Sequence, residues 1–154
     1  MTEIYSMTQG HPYWNETISM AEKCSWGAGP YLAEKMQSNE FNEWERVFAA
    51  YADRKIVGFC TFTEKDALPP KYEFTPFVGF VFVDEQYRGK RLSELMIKSA
   101  ASYAYELGYK KVYLTSGEIG LYEKYGFKKL GDYETIHGST EQLFVRSKAS
   151  LQSL

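Results

Sequence analysis

Phe77-Val78-Gly79-Phe80-Val81-Phe82-Val83-Asp84-Glu85-Gln86-Tyr87-Arg88-Gly89-Lys90-Arg91-Leu92-Ser93 contains the change of hydrophobic period that decides the fold. The apolar run Phe77–Val83 lies between Pro76 and Asp84, is too short for a typical helix, and is rich in β-branched and aromatic residues. It reads as a strand buried on both faces. From Leu92 the spacing changes: Leu92, Leu95, Met96, Ala100, Tyr103, Ala104 and Leu107 recur every three or four residues, the pattern of an amphipathic helix. Gly108 follows and is suited to end that helix in a left-handed cap. Between strand and helix lies the basic segment Arg88-Gly89-Lys90-Arg91. A helix N-terminus offers unpaired N–H groups and the positive end of a dipole, so the segment reads as an anion cradle. On these residues alone a plain turn stays open beside a phosphate site. Neither a Gly-x-x-x-x-Gly-Lys-Ser/Thr loop nor an early Gly-x-Gly-x-x-Gly is present.

The residues downstream narrow the choice. The quoted stretch resembles motif A of the GNAT superfamily of acyl-CoA-dependent N-acetyltransferases, whose signature is Gln/Arg-x-x-Gly-x-Gly/Ala after a strand ending in Val. Aligned on Arg88, the signature positions hold Arg88, Arg91 and Ser93; starting at Gln86, the small-residue slots hold Gly89 and Arg91. Either register puts Arg91 where the family usually has Gly or Ala. Val112-Tyr-Leu-Thr-Ser-Gly-Glu-Ile-Gly-Leu-Tyr-Glu-Lys-Tyr-Gly-Phe127 resembles motif B of the same superfamily. Leu121, Tyr122, Glu123, Lys124, Gly126 and Phe127 match its ending, while the Asn and Ala that many members carry before this Tyr are absent. The resemblance spans about residues 45–147.

The resemblance implies an α/β fold with a central mixed sheet flanked by helices on both faces. It also implies acetyl-CoA as acyl donor and direct attack by an amine. Backbone groups of Val81, Phe82 and Val83 would pair with the pantetheine amides, and Arg88, Gly89, Lys90, Arg91, Leu92 and Ser93 would hold the pyrophosphate. Tyr122 matches the family tyrosine that hydrogen-bonds the departing sulfur as general acid. Gly79, the only small residue in the central strand, is expected to mark a bulge that admits the cofactor arm. A nearby N–H at Phe80 or Val81 would then polarise the thioester carbonyl. An alkyl ammonium must lose a proton before it attacks, so a carboxylate or a water chain is expected to take it. Glu73, just before the central strand, is the first candidate, followed by Glu118 and Asp66. Lys90 and Lys124 are candidates for the adenosine 3′-phosphate. A small-molecule amine is the expected acceptor. The alternative is a non-catalytic acyl-CoA-binding or regulatory module of the same fold.

The rest of the chain supplies bounds. Its 154 residues suit one domain spanning 1–154 with a proper core. A net charge of −2 gives no overall electrostatic footprint for nucleic acid or an anionic membrane. No run reaches spanning length and the acidic start is not a signal peptide, so a cytoplasmic location is the default expectation. The sequence leaves a homodimer open. Two cysteines are too few for a disulfide framework, and Cys60 sits in an apolar run as a core thiol. His11 and His137 form no ligand pattern, and no metal is expected.

Aromatic content of 17% is high, and Tyr13, Trp14, Trp26 and Tyr31 cluster near the start. The reading favours a helix face packed on the sheet; the other reading is an aromatic wall for the acyl acceptor.

The first forty residues read as helical, with helices over Asn15–Lys23 and Pro30–Gln37 split by Gly27-Ala-Gly-Pro30. Strands are expected over Trp44–Tyr51, Ile56–Thr63, Lys111–Thr115, Phe127–Ile136 and Gln142–Arg146, and a loop over Asp66–Phe74. Strands Phe77–Val83 and Lys111–Thr115 flank one crossover helix and should be parallel neighbours. Ser147–Leu154 reads as a polar tail.

Overall fold

The computed structural model describes residues 2–148. Seven strands form one sheet: β1 (Glu3–Met7), β2 (Arg46–Ala52), β3 (Lys55–Thr63), β4 (Phe77–Val83), β5 (Lys111–Ser116), β6 (Lys128–Glu134) and β7 (Thr140–Ser147). Their spatial order is β1-β2-β3-β4-β5-β7-β6. Only β4 and β5 run parallel; every other pair is antiparallel. The expected mixed sheet and its parallel central pair are both present.

Among the described residues, three α-helices cover the two faces. The first two, α1 (Trp14–Lys23) and α2 (Gly29–Gln37), pack Trp14, Ile18, Ala21, Leu32 and Met36 against Val47, Ala49, Phe59 and Phe82. On the opposite face α3 (Leu92–Glu106) buries Met96, Ile97, Ala100, Ala101 and Ala104 against Phe48, Phe62, Val78, Val112 and Leu114. Small residues on α3 let it lie close to the sheet, while the aromatic side chains of the strands fill the space between. Cys60 is fully buried here, and burial pushes its thiol up to about 12. It is the inert core thiol that its apolar surroundings suggested.

The chain start departs from the helical expectation. Glu3–Met7 is an edge strand antiparallel to β2, with Tyr5 opposite Ala49. Five residues carry too little periodicity to declare a strand, and the partner lies some forty residues away, so tertiary pairing decides it. Strand boundaries otherwise shift by at most two residues, as at β7, whose pairing extends to Thr140 and Ser147. The expected tail falls largely outside the described residues. The hairpin between β2 and β3 turns on Asp53 and Arg54, both at positive φ, a pair suited to a tight two-residue loop.

Gly108 ends α3 at φ +100. Tyr109 N–H donates to the Ala104 carbonyl (3.0 Å) and Gly108 N–H to the Tyr105 carbonyl (3.1 Å), the paired bonds of a Schellman motif. A Cβ here would meet nothing within 4 Å, so any penalty for substitution is conformational. Gly108→Ala should therefore destabilise the protein by about 1 kcal/mol, the left-handed penalty for an L-residue. Urea unfolding checks this, with an unchanged m-value expected.

Candidate active site

Strands β4 and β5 share one ladder position, Phe77 with Tyr113, supported by Tyr113 N–H donating to the Pro76 carbonyl (2.9 Å). Beyond it the two strands part, and a cleft of about 690 Å³ opens between them. The parting begins at a β-bulge. Phe59 pairs with Phe82 and Thr61 with Gly79, so Phe80 and Val81 together face the single residue Cys60. Phe80 carries the distortion at φ +48, a left-handed conformation that costs an L-residue about 1–2 kcal/mol.

The bulge thus lies one residue after Gly79, and Gly79 has a separate job. A Cβ on it would sit 2.5 Å from Asp66 Oδ1, so the missing side chain makes room for the Asp66 carboxylate. The chain after β3 is steered there by specific bonds. Lys65 Nζ donates to the Tyr72 and Phe74 carbonyls (2.8 and 3.2 Å), and Ile136 N–H donates to the Ala67 carbonyl (2.8 Å). Loss of water pushes the Asp66 carboxyl up to about 6. The Ala67 N–H and the charges of Lys35 and His137 partly counter this, while Glu141 adds to it.

Tyr122 lines the same cleft from the other wall, at the start of a short 3₁₀ helix (Tyr122–Tyr125). Its ring packs on Tyr125, Phe127 and Phe144. Burial pushes its phenol up to about 12, against a lowering contribution from a hydrogen bond with Ser116. The hydroxyl therefore keeps its proton at every working pH.

At one end the cleft continues into a hollow of about 420 Å³ lined by Val83, Arg88, Gly89, Arg91, Ser93, Lys124 and Tyr125, among others. Gly89 and Arg91 both adopt positive φ, +82 and +63, so Arg91 occupies the left-handed slot that favours glycine. Its guanidinium folds onto α3, with Nε donating to Glu94 Oε1 at 2.6 Å, and this bond lowers the Glu94 carboxyl. Among the described residues no acceptor takes the N–H groups of Gly89, Lys90 or Arg91, and the first turn of α3 leaves its own N–H groups free. Six N–H groups on and before a helix N-terminus make a backbone cradle for phosphate. Arg88 Nε donates to the Val83 carbonyl (2.9 Å), and its guanidinium lies over Phe82. Ser93 Oγ bonds Tyr125 Oη (2.9 Å), tying the two walls together. Leu92 is buried in the core, so only its backbone faces this region. Lys90 Nζ lies over the Tyr87 ring on the outer side. Val81, Phe82 and Val83 line the cleft along its β4 wall.

At its other end the cleft meets a hollow of about 390 Å³ walled by Trp26, Thr61, Asp66, Phe80, Thr115 and Glu141. Trp26 stacks on Phe82 with ring centroids 5.9 Å apart and planes within 3°, and Ser25 Oγ donates to Glu85 Oε2 (2.7 Å), fixing that loop over the cleft. Of the four N-terminal aromatics, Trp26 alone takes the wall position. Trp14 is core, Tyr13 packs with Tyr5 and Tyr51, and Tyr31 is exposed.

Of the three carboxylates proposed as base, Asp66 reaches deepest. Glu118 stands exposed on the cleft rim, and Glu73 is exposed on the loop before β4, outside the cleft lining. Glu73 lies next to the central strand in sequence, but the backbone at 72–74 is held by Lys65 and its side chain does not line the cleft. Thr61 and Glu141 were not foreseen; in sequence they read as ordinary strand residues.

The chain matches the model of the acetyltransferase (GNAT) family over residues 12–127. Solved structures share its fold almost end to end. A putative acetyltransferase from Exiguobacterium sp. 255-15 superposes with TM-score 0.72 at 13% identity, covering 99% of this chain and 97% of that one. Aminoglycoside 6′-acetyltransferase type Ii gives 0.73 at 16% identity, over 94% and 96%. An aminoglycoside 6′-N-acetyltransferase complexed with coenzyme A gives 0.70 at 14%, again over 94% and 96%. The curated proteins contain no match. With the family model covering most of the chain and the parted parallel strands in place, the protein belongs to the GNAT family of acetyltransferases.

Proposed function

We propose that the protein transfers an acetyl group from acetyl-CoA to the amine of a small molecule by direct attack. The observation that carries this reading is the continuous cleft with a backbone anion cradle at one end, Tyr122 in the middle and Asp66 toward the other. A pyrophosphate suits the free N–H groups of Gly89 to Ser93, with Arg88 beside them and Lys124 at the rim. The edge of β4 over Val81–Val83, which no strand covers and where the Val83 carbonyl is held by Arg88 Nε, suits the amides of a pantetheine arm, which would extend the sheet as a strand does. Acetyl-CoA supplies the activated acyl group. Everything else falls to the chain's own residues.

Asp66 takes the proton from the incoming ammonium. A carboxyl raised to about 6 is ionised at neutral pH yet more basic than an ordinary aspartate, which favours proton transfer. The backbone N–H groups around the Phe80–Val81 bulge are the donors placed to polarise a thioester carbonyl. Tyr122 donates a hydrogen bond to the departing sulfur. With its phenol near 12 and a free thiol near 8.5, full proton transfer to the thiolate is uphill. Its role is therefore to stabilise developing charge through the hydrogen bond, and the thiolate takes its final proton from solvent.

The reading is tested by thiol release from acetyl-CoA with a panel of primary amines. Tyr122→Phe keeps the ring and removes the hydroxyl, so kcat should fall about 10²-fold with the acetyl-CoA KM little changed. Wild-type kcat in that variant, with chemistry rate-limiting, would return Tyr122 to the core.

Asp66 makes a second, independent prediction. In the wild type kcat should rise as pH passes through about 6, and Asp66→Asn should lose that limb together with most turnover. The folded-state value lies above the ordinary 3.8, so the folded protein holds the proton more tightly than the unfolded chain. Wild-type stability should then decline as pH rises from about 4 to about 6 and level off above. Asp66→Asn should be the more stable protein at pH 8, with the gap closing below pH 4. Thermal melts across that range check the sign.

A further inference from the structure

Thr61 lies in the middle of β3 with its hydroxyl buried and without a hydrogen-bond partner. Its neighbour on the same face, Thr63, donates its hydroxyl to the Lys65 carbonyl at 2.7 Å. Unpaired buried hydroxyls are uncommon and destabilising, and a valine would fill the same volume without that cost. The position of Thr61 offers a reason for a hydroxyl. It is paired with Gly79 in the β3–β4 ladder, and directly paired residues carry their side chains on one face, with Cβ positions about 5 Å apart. The space a Gly79 side chain would occupy is filled by the Asp66 carboxylate. Thr61 and Asp66 are thus side by side on one face of the sheet, and both line the hollow beyond Trp26 and Phe80. No hydrogen bond joins them. Two neighbouring oxygens, one of them anionic, can share a single donor group that carries more than one N–H.

We propose that Thr61 binds the acceptor amine: its hydroxyl oxygen accepts one N–H of the ammonium while Asp66 accepts another. This rests on the acetyltransferase reading above. In the step that follows, the N–H bond facing Asp66 breaks and the proton goes to its carboxylate oxygen. The electron pair stays on nitrogen as the nucleophile, and the N–H held by Thr61 keeps that nitrogen in place. The unpaired hydroxyl is then a binding group whose partner arrives with the substrate, which accounts for a polar side chain where packing alone would take valine.

The test compares Thr61→Val and Thr61→Ser with wild type, using benzylamine, tyramine, putrescine and lysine as acceptors and following CoA release. Thr61→Val should stay folded with a melting temperature equal to or above wild type, because a buried unpaired group has been removed. Its KM for the best acceptor should rise about tenfold, the order expected for a lost hydrogen bond to a charged group, with the acetyl-CoA KM unchanged. Thr61→Ser should retain wild-type acceptor KM. Wild-type turnover together with unchanged kinetics in Thr61→Val would overturn the role of Thr61 and leave the acetyltransferase reading standing. Equal impairment in both variants, one lacking the hydroxyl and the other only the methyl, would make the packing of the site and not the hydroxyl's hydrogen bond the important feature, and would also overturn it. If wild type releases no CoA with any of the four amines while a thermal shift shows that it binds CoA, the acetyltransferase reading fails and the Thr61 role fails with it.

Discussion

The site depends on one incomplete strand pairing. Parallel β4 and β5 meet at Phe77 and Tyr113 and then separate, in the centre of a sheet whose other neighbours pair along most of their length. A central strand with an unpaired edge leaves N–H and C=O groups without partners, which a compact fold ordinarily avoids. Several features keep the gap open. The Phe80–Val81 bulge turns the β4 backbone, the Asp66 carboxylate fills the space beside Gly79, and Tyr122 packs on Phe144 from the opposite wall. Together they hold the two walls apart, and an open edge is what an amide-bearing ligand can complete.

Left-handed conformations at non-glycine residues mark both ends of this opening. Phe80 sits at the bulge, and Arg91 sits at the N-terminus of α3. Each conformation is unfavourable on its own and is held by surrounding contacts. Trp26 packs edge-on against Phe80, and Glu94, buried in the first turn of α3, takes the Arg91 guanidinium. Observed strain of this kind clusters where a backbone must present its amides in an unusual direction. The Arg91–Glu94 bond also explains how an arginine is accommodated in a slot where the family usually has a small residue: the side chain is drawn back along the helix, and the loop's N–H groups stay exposed.

Much of this was readable from residue patterns. The apolar run Phe77–Val83, the three-and-four spacing from Leu92 and the cap at Gly108 are local signals, and each element formed where its pattern lies. The parallel pairing followed from the crossover helix between two short strands. What escaped depends on non-local bonds. Glu3–Met7 becomes a strand only because β2 offers an edge. Asp66 enters the cleft, and Glu73 does not, because Lys65 and Ile136 fix the path of a loop whose sequence signals only irregularity. The missing side chain of Gly79 is visible in sequence, but what that absence admits is a carboxylate, and the bulge falls on its bulkier neighbour. The unsatisfied hydroxyl of Thr61 has no sequence signature at all, since threonine is an ordinary strand residue.

The central claim is that the open edge of β4 and the loop before α3 are completed by CoA. Amide hydrogen exchange, followed with and without saturating CoA, measures this directly. The account predicts slowed exchange concentrated in segments covering Val81–Val83 and Gly89–Ser93, with little change along β1 and β2. CoA binding that leaves both segments exchanging at their free rates, or that protects a different part of the sheet, would contradict it.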